Sequence, residues 1–306
     1  MNAKKKKTSF DYSAWARRFV EGSGDSALSK PLPGLYVVAT PIGNLGDITL
    51  RALAVLAGTD AVACEDTRVT GGMLHRFGIK KSLISYHDHN ADERRPEILA
   101  RLKRGEVVAL VSDAGTPLIS DPGFKLVRAC REEGFSVAAV PGASAVLTAL
   151  SAAGLPTDKF FFCGFLPGKK AARRKDLEEV AGVAATLVFY EAPSRLAACL
   201  EDMAAVLGDA REAVVARELT KMFEAVRGGS LGELALHYRA AGAPKGEIVV
   251  LVGPPVVAEV DQVDVDALLR ASLKKMSVRD AAADVAKATG VKKSAVYERA
   301  VRMEKE

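Results

Sequence analysis

Three features of the sequence predict an α/β protein built from two sheet domains and a small helical C-terminal unit. Short, nearly continuous apolar runs alternate with helical patterns between Leu35 and about Gly253. Loops rich in Gly, Pro, Ser and Thr follow the runs of the first half, as at the carboxyl edge of a parallel sheet covered on both faces. Beyond the stretch GPPVVAEVDQ the pattern becomes wholly helical. The chain has 306 residues, 49 % of them apolar and only 6 % aromatic, so its cores must be filled largely by aliphatic side chains.

Taken in order, residues 1–32 read as a basic arm. FDYSAWARRFVEGSG has one short amphipathic pattern, which Gly and Ser end, and KPLPG closes the segment. Strands are predicted at Leu35–Ala39, Ala61–Cys64, Leu83–Ser85, Val107–Val111 and Val137–Val140, giving a first α/β domain over residues 33–152. SAAGLPTDK breaks the pattern. A second α/β domain over 153–255 has strands at Phe160–Cys163, Thr186–Tyr190, Ala213–Ala216 and Ile248–Val252, with KMFEAVRGG as an antiparallel piece before a helix at Leu231–Ala240. In residues 256–306, Ser277 with Asp280 three positions on reads as a capping box, and Gly290 as the residue that ends that helix. A second helix follows at KKSAVYERAVRMEK. The spacing fits a helix-turn-helix and equally an oligomerising helical hairpin.

Charge narrows the ligand. The loops after the first five strands carry Asp47, Glu65, Asp66, Asp88, Asp113 and Asp121 against one cation, Arg68. A triphosphate site needs a lysine and N–H donors aimed at anions, and GK[ST] is absent. A dinucleotide site is disfavoured because Gly43 and Gly46 give only GxxG and Pro41 interrupts the loop, although Asp66 stands 20 residues after Gly46. A pocket rich in carboxylates suits a cationic or zwitterionic ligand. S-adenosyl-L-methionine, with its sulfonium and ammonium, fits.

ATPIGNLGDIT, EDTR, YHDHN, SDAGTPLISDPG, PGASA, GFLP, FYEAPSR, ARELTK and KGEIVVLVG occur in this order. Together they resemble the ribosomal RNA small subunit methyltransferase I family of the tetrapyrrole-methylase superfamily, over roughly residues 33–306. The resemblance implies a tetrapyrrole-methylase-like fold in which two α/β domains flank a deep cleft that holds S-adenosyl-L-methionine. It also implies a homodimer that methylates the 2′-oxygen of a cytidine ribose in the decoding centre of 16S rRNA, within the small ribosomal subunit. Cofactor contacts are implied at Pro41, Ile42, Gly115, Thr116, Ile119, Ser144, Ala145, Tyr190, Glu218 and Gly246. Related methylases read GDP where this chain reads GTP, so Thr116 leaves the family's acid without a counterpart.

Transfer of a methyl group to a ribose hydroxyl needs alignment and a proton acceptor. Glu65 and Asp66 are the favoured catalytic acids and Arg68 the phosphate-positioning cation. Asp113, His87, His89, Glu191, Glu218, Lys221 and Glu247 are further candidates. Asp121-Pro122 also reads simply as a helix N-cap with Pro at the first position. His87 and His89 have no further ligand cluster near them, so no metal is expected.

The net charge of +5 is uneven. Residues 1–30 hold seven Lys or Arg against three acids, and residues 261–306 hold ten against eight. KKAARRK adds five cations in seven residues. Lys169, Lys170, Arg173, Arg174, Lys292, Lys293 and Arg299 are therefore the expected RNA contacts. Four scattered cysteines without a CxxC pair, no apolar run of membrane-spanning length and no secretory h-region predict a cytoplasmic protein. Two other classes stay open: a tetrapyrrole C-methyltransferase on the same fold, and a non-catalytic RNA-binding protein on a methylase scaffold.

Overall fold

The computed structural model describes residues 31–255, 265–289, 291 and 293–304. The expected arm up to residue 30, most of the linker, Gly290 and Lys292 lie outside the described residues. The chain divides into two compact units after Pro254.

The first unit contains both α/β domains. Its first sheet comprises β1 (Gly34–Val38), β2 (Ala61–Cys64), β3 (Ser82–Ser85), β4 (Val107–Leu110) and β5 (Val137–Val140). All pairings are parallel, in the order β3-β2-β4-β1-β5. Helices α1 (Leu50–Gly58), α2 (Thr67–Arg76), α3 (Ala91–Lys103), α4 (Phe124–Glu132) and α5 (Ala145–Ala153) follow the five strands in turn. Alternation along the strands divides the sheet's residues between two cores. Leu35, Ala63, Val108 and Leu110 face one layer of helices, and Val38, Val62, Ala109 and Val140 the other. The buried Leu and Val side chains among these contribute roughly 1.5–3 kcal/mol each.

Strands β1 and β4 are neighbours, but their onward connections leave in opposite directions, β1 toward β2 and β4 toward β5. This is a topological switch point, and it opens a crevice at the carboxyl ends of the two strands.

The second sheet has the order β6-β7-β10-β8-β9, formed by β6 (Phe160–Phe165), β7 (Thr186–Glu191), β8 (Glu212–Arg217), β9 (Ala225–Ser230) and β10 (Ile248–Val252). Only β6 and β7 run parallel; the other neighbours are antiparallel. Helices α6 (Lys170–Val180), α7 (Leu196–Leu207) and α8 (Leu231–Ala241) cover one face. The start of α8 is fixed by a capping box, Ser230 with Glu233. The opposite face packs against the first domain: Ile42 and the α5 residues Val146, Ala149 and Leu150 meet Val188, Val214, Val249 and Leu251.

Two expectations are corrected here. Asp121 caps no helix, because α4 starts at Phe124 with Gly123 as its N-cap. Arg173 is not on a solvated face. It is 5 % exposed, and its guanidinium donates to Asp202 at 2.6 and 2.9 Å, which joins α6 to α7.

The second unit contains α9 (Val265–Leu273), α10 (Val278–Thr289) and α11 (Lys293–Glu304) around a small core of Leu269, Ala281, Ala282, Val285, Val296 and Ala300. The Ser277 hydroxyl accepts from the Asp280 amide at 3.2 Å and donates to the Asp280 carboxylate at 2.6 Å, which starts α10. Among the described residues no helix is long and apolar enough to cross a membrane.

Candidate active site

The loops after β1, β4 and β5 are stitched into one floor. Thr40 and Gly115 exchange backbone hydrogen bonds of 2.9 and 3.0 Å, and the Thr40 hydroxyl donates to the Ser112 carbonyl at 3.1 Å. The Thr116 hydroxyl donates to the Ala143 carbonyl at 3.1 Å. Gly115 has φ +83°, and a β-carbon there would press on Ile42. Thr116, which stands where related methylases have an acid, therefore braces two loops.

Above this floor lies a cavity of about 370 Å³. The first domain contributes Ile42, Gly115, Thr116, Ile119, Ser144 and Ala145, and the second contributes Tyr190 and Gly246. Eight of the ten expected cofactor residues thus meet in one place. Pro41 and Glu218 do not line the cavity. Pro41 is buried just before Ile42, and Glu218 braces the rim by accepting from Lys221 at 2.9 Å and from the Glu247 amide at 3.1 Å. At Gly246, φ is +95° and a β-carbon would collide with the Glu218 carboxylate, so only glycine fits.

Among the described residues the lining holds Asp113, Asp121, Glu191 and Glu247 and no Lys, Arg or His. Glu191 is neutralised from outside by Arg195 at 2.9 Å, and Glu247 by Lys221 at 3.1 Å. Asp121 is pushed up to about 6 by burial, then by the nearby charge of Glu65, with the Ser112 hydroxyl opposing the rise. Sequence reasoning passed over Phe165, whose ring lies 5.4 Å from that of Tyr190; Phe162 meets the same ring edge-on at 5.0 Å. The only signal for Phe165 was its place in GFLP, at the end of a strand.

An open pocket adjoins the cavity and shares Asp113 with it. It holds Glu65, Asp66, Thr67, Arg68, Ser85, His87 and His89. The structure separates the two favoured acids. Asp66 caps α2 through the Arg68 amide and pairs with the Arg68 guanidinium at 2.6 Å; those hydrogen bonds hold its carboxyl down at about 2. Glu65 is raised instead, by burial and then by the charges of Asp113 and Asp88. Lys221 is held cationic by Glu218 and Glu247 against the cost of its burial, so it is no base. Among the described residues no cluster could hold a metal ion.

The expected RNA contacts fall into three groups. Lys169 and Lys170 are exposed at the start of α6. Arg173 and Arg174 are bound to Asp202. Lys293 and Arg299 are exposed on α11, in the second unit.

Residues 34–235 match the model of the Tetrapyrrole (Corrin/Porphyrin) Methylases, and residues 259–304 that of the RsmI C-terminal HTH domain. A Mesorhizobium japonicum protein named ribosomal RNA small subunit methyltransferase I is 51 % identical over 276 residues, covering 90 % of this chain and 94 % of that protein. The chain belongs to the ribosomal RNA small subunit methyltransferase I family. A member from Escherichia coli O157:H7 is 48 % identical over 273 residues, covering 88 % of this chain and 95 % of its own. Solved structures extend the fold beyond the family. A uroporphyrin-III-C-methyltransferase from Thermus thermophilus aligns with TM-score 0.53 at 24 % identity, over 72 % of this chain and 94 % of that one. A second structure of that kind of enzyme, complexed with S-adenyl homocysteine, aligns with TM-score 0.52 at 19 % identity, over 72 % and 97 %.

Proposed function

We propose that the chain uses S-adenosyl-L-methionine to methylate the 2′-oxygen of a cytidine ribose in the decoding centre of 16S rRNA, within the small ribosomal subunit. The observation that carries the cofactor reading is the cavity at the switch point, with four carboxylates, a backbone-rich floor and, among the described residues, no cation. Family membership and the C-terminal helical unit support the RNA substrate. When bound, S-adenosyl-L-methionine supplies an electrophilic methyl group on a sulfonium. The chain's residues do the rest. The stitched floor offers backbone groups to the polar edges of the cofactor. Tyr190, Phe165, Ile42, Ile119 and Leu219 give it apolar walls that exclude water. Asp66 fixes the Arg68 guanidinium, whose side chain is 89 % exposed, beside the open pocket, where it positions an RNA phosphate. Glu65 faces the same pocket and contacts the target nucleoside.

Lys169, Lys170, Lys293 and Arg299 supply the electrostatic contacts with RNA. The active form is a homodimer in the cytoplasm. Phe160 and Phe161, each nearly half exposed on the edge strand β6, are candidates for burial in its interface. Sedimentation should then give a mass of about twice 32.4 kDa. Tetrapyrrole C-methylation remains the rival chemistry on this fold, but it gives no use to a basic helical unit.

The test is to map ribose methylation along 16S rRNA from cells with and without the gene. The expected result is one cytidine that loses its 2′-O-methyl group in the deletion strain and regains it when purified protein and S-adenosyl-L-methionine are added to the isolated small subunits. An unchanged methylation map would refute the assignment.

A further inference from the structure

We propose that Asp121 is the catalytic proton acceptor, its carboxylate taking the proton of the target hydroxyl inside the cavity, beside the open pocket. The proposal rests on the ribose O-methylation reading above.

Position is the first argument. Asp121 lines the cavity, and the acids whose charge acts on it, Glu65 and Asp113, line the open pocket. Asp113 lines both. Asp121 thus lines the cavity within reach of the charges of both pocket acids, and a ribose hydroxyl entering past Asp113 must reach that cavity to meet a methyl donor.

The loop is the second argument. Leu118 and Ser120 hold φ of 73° and 65°, a left-handed conformation that costs a non-glycine residue on the order of 1 kcal/mol. These two residues fall within three positions of the loop from which Ile119 and Asp121 line the cavity, and α4 starts only at Phe124. Strain of this kind concentrates at functional sites.

Elimination is the third argument. Ion pairs engage Asp66, Glu191, Glu218 and Glu247. Asp113 accepts the Asp66 amide at 3.0 Å. Glu65 and Asp121 remain, and only Asp121 lines the cavity. The groups facing Asp121 are Glu65, Asp113 and Asp88 from the ends of three strands of the first sheet, the Ser112 hydroxyl, and Tyr190 from β7. The three acids raise its proton affinity, and a base near the working pH is the efficient kind.

In the step itself, a lone pair of the hydroxyl oxygen forms the new C–O bond. The electron pair of the donor's C–S bond stays on sulfur, and the O–H proton passes to an Asp121 oxygen, from which solvent removes it.

The experiment compares wild type, Asp121→Asn and Glu65→Gln on small subunits from a deletion strain. Asp121→Asn should lower kcat roughly 100-fold or more and abolish the acid limb of the pH–rate profile. Its affinity for S-adenosylhomocysteine, which lacks the sulfonium, should fall far less than kcat by calorimetry, since three other carboxylates still line the cavity. A readout independent of activity is melting of the cofactor-free protein. The folded chain binds the Asp121 proton more tightly than the unfolded chain, so wild-type stability falls as pH rises from about 4 through about 6. Asp121→Asn should therefore melt higher than wild type at pH 8, with the difference shrinking toward pH 4.

Unaltered turnover, a parallel loss of cofactor affinity, or a pH limb that disappears with Glu65→Gln instead would overturn the proposal. If Asp121→Asn fails to fold, Asp121→Glu carries the test through a shifted limb, and an unmoved limb counts against the role. Wild-type protein that transfers no methyl to small subunits would sink the functional reading, and this role with it. The melting difference would survive that outcome, which distinguishes the two failures.

Discussion

Arg173 shows how a single residue escapes a pattern. KKAARRK has the charge density of a solvated, anion-seeking surface, and Lys169 and Lys170 are exposed as that predicts. One turn further along α6 the helix rotates Arg173 inward, where Asp202, 29 residues away in sequence, completes it. Local spacing carries no information about so distant a partner. The two kinds of cation therefore predict opposite experimental behaviour. Arg173→Ala leaves a buried carboxylate without its main partner and should lower unfolding stability by about 3 kcal/mol, read from denaturant midpoints. Lys169→Ala with Lys170→Ala should leave the midpoint unchanged and weaken binding to small subunits, more so at low salt. Asp66 was legible as an acid at a strand end, but not as a helix cap bound to Arg68, since one carboxylate can serve either purpose. Its contribution to stability is present above its ordinary pKa near 4 and is lost as the pH falls through about 2.

Elements were far more legible than partners. Strand positions fell within a residue or two of those predicted from apolar runs, because a strand buried on both faces must be continuously apolar. The antiparallel piece expected at KMFEAVRGG before α8 is β9. The start of α4 was not legible. Asp-Pro has the chemistry of a helix start, yet the helix starts at Phe124 with Gly123 as its cap, after a loop in which Leu118 and Ser120 hold positive φ. Gly246 tests the same scale. Its positive φ and its contact with Glu218 fix the loop before β10 against the cavity. Gly246→Ala should displace that loop and weaken S-adenosylhomocysteine binding by roughly tenfold or more, measured by calorimetry, because misplaced binding groups lose most of their value.

At the scale of the whole molecule, the order in which strands pair had no local signature. Neither β3-β2-β4-β1-β5 nor β6-β7-β10-β8-β9 follows from the runs themselves, since pairing joins segments far apart in the chain. The chain divides into two compact units after Pro254. This division predicts separable roles. Lys293→Ala with Arg299→Ala, both in the second unit, should reduce affinity for small subunits and flatten its salt dependence by about one power per lost phosphate contact. Binding of S-adenosylhomocysteine should be unaffected, which calorimetry on the same samples would check. No comparable separation exists inside the first unit. Helix α5 belongs by sequence to the first sheet but spends Val146, Ala149 and Leu150 on the second. Severed between these domains, each fragment would be left with a greasy flank and would tend to precipitate when produced alone. Produced together, the two pieces should rescue each other's solubility, which makes this chain a natural candidate for a split-protein reporter.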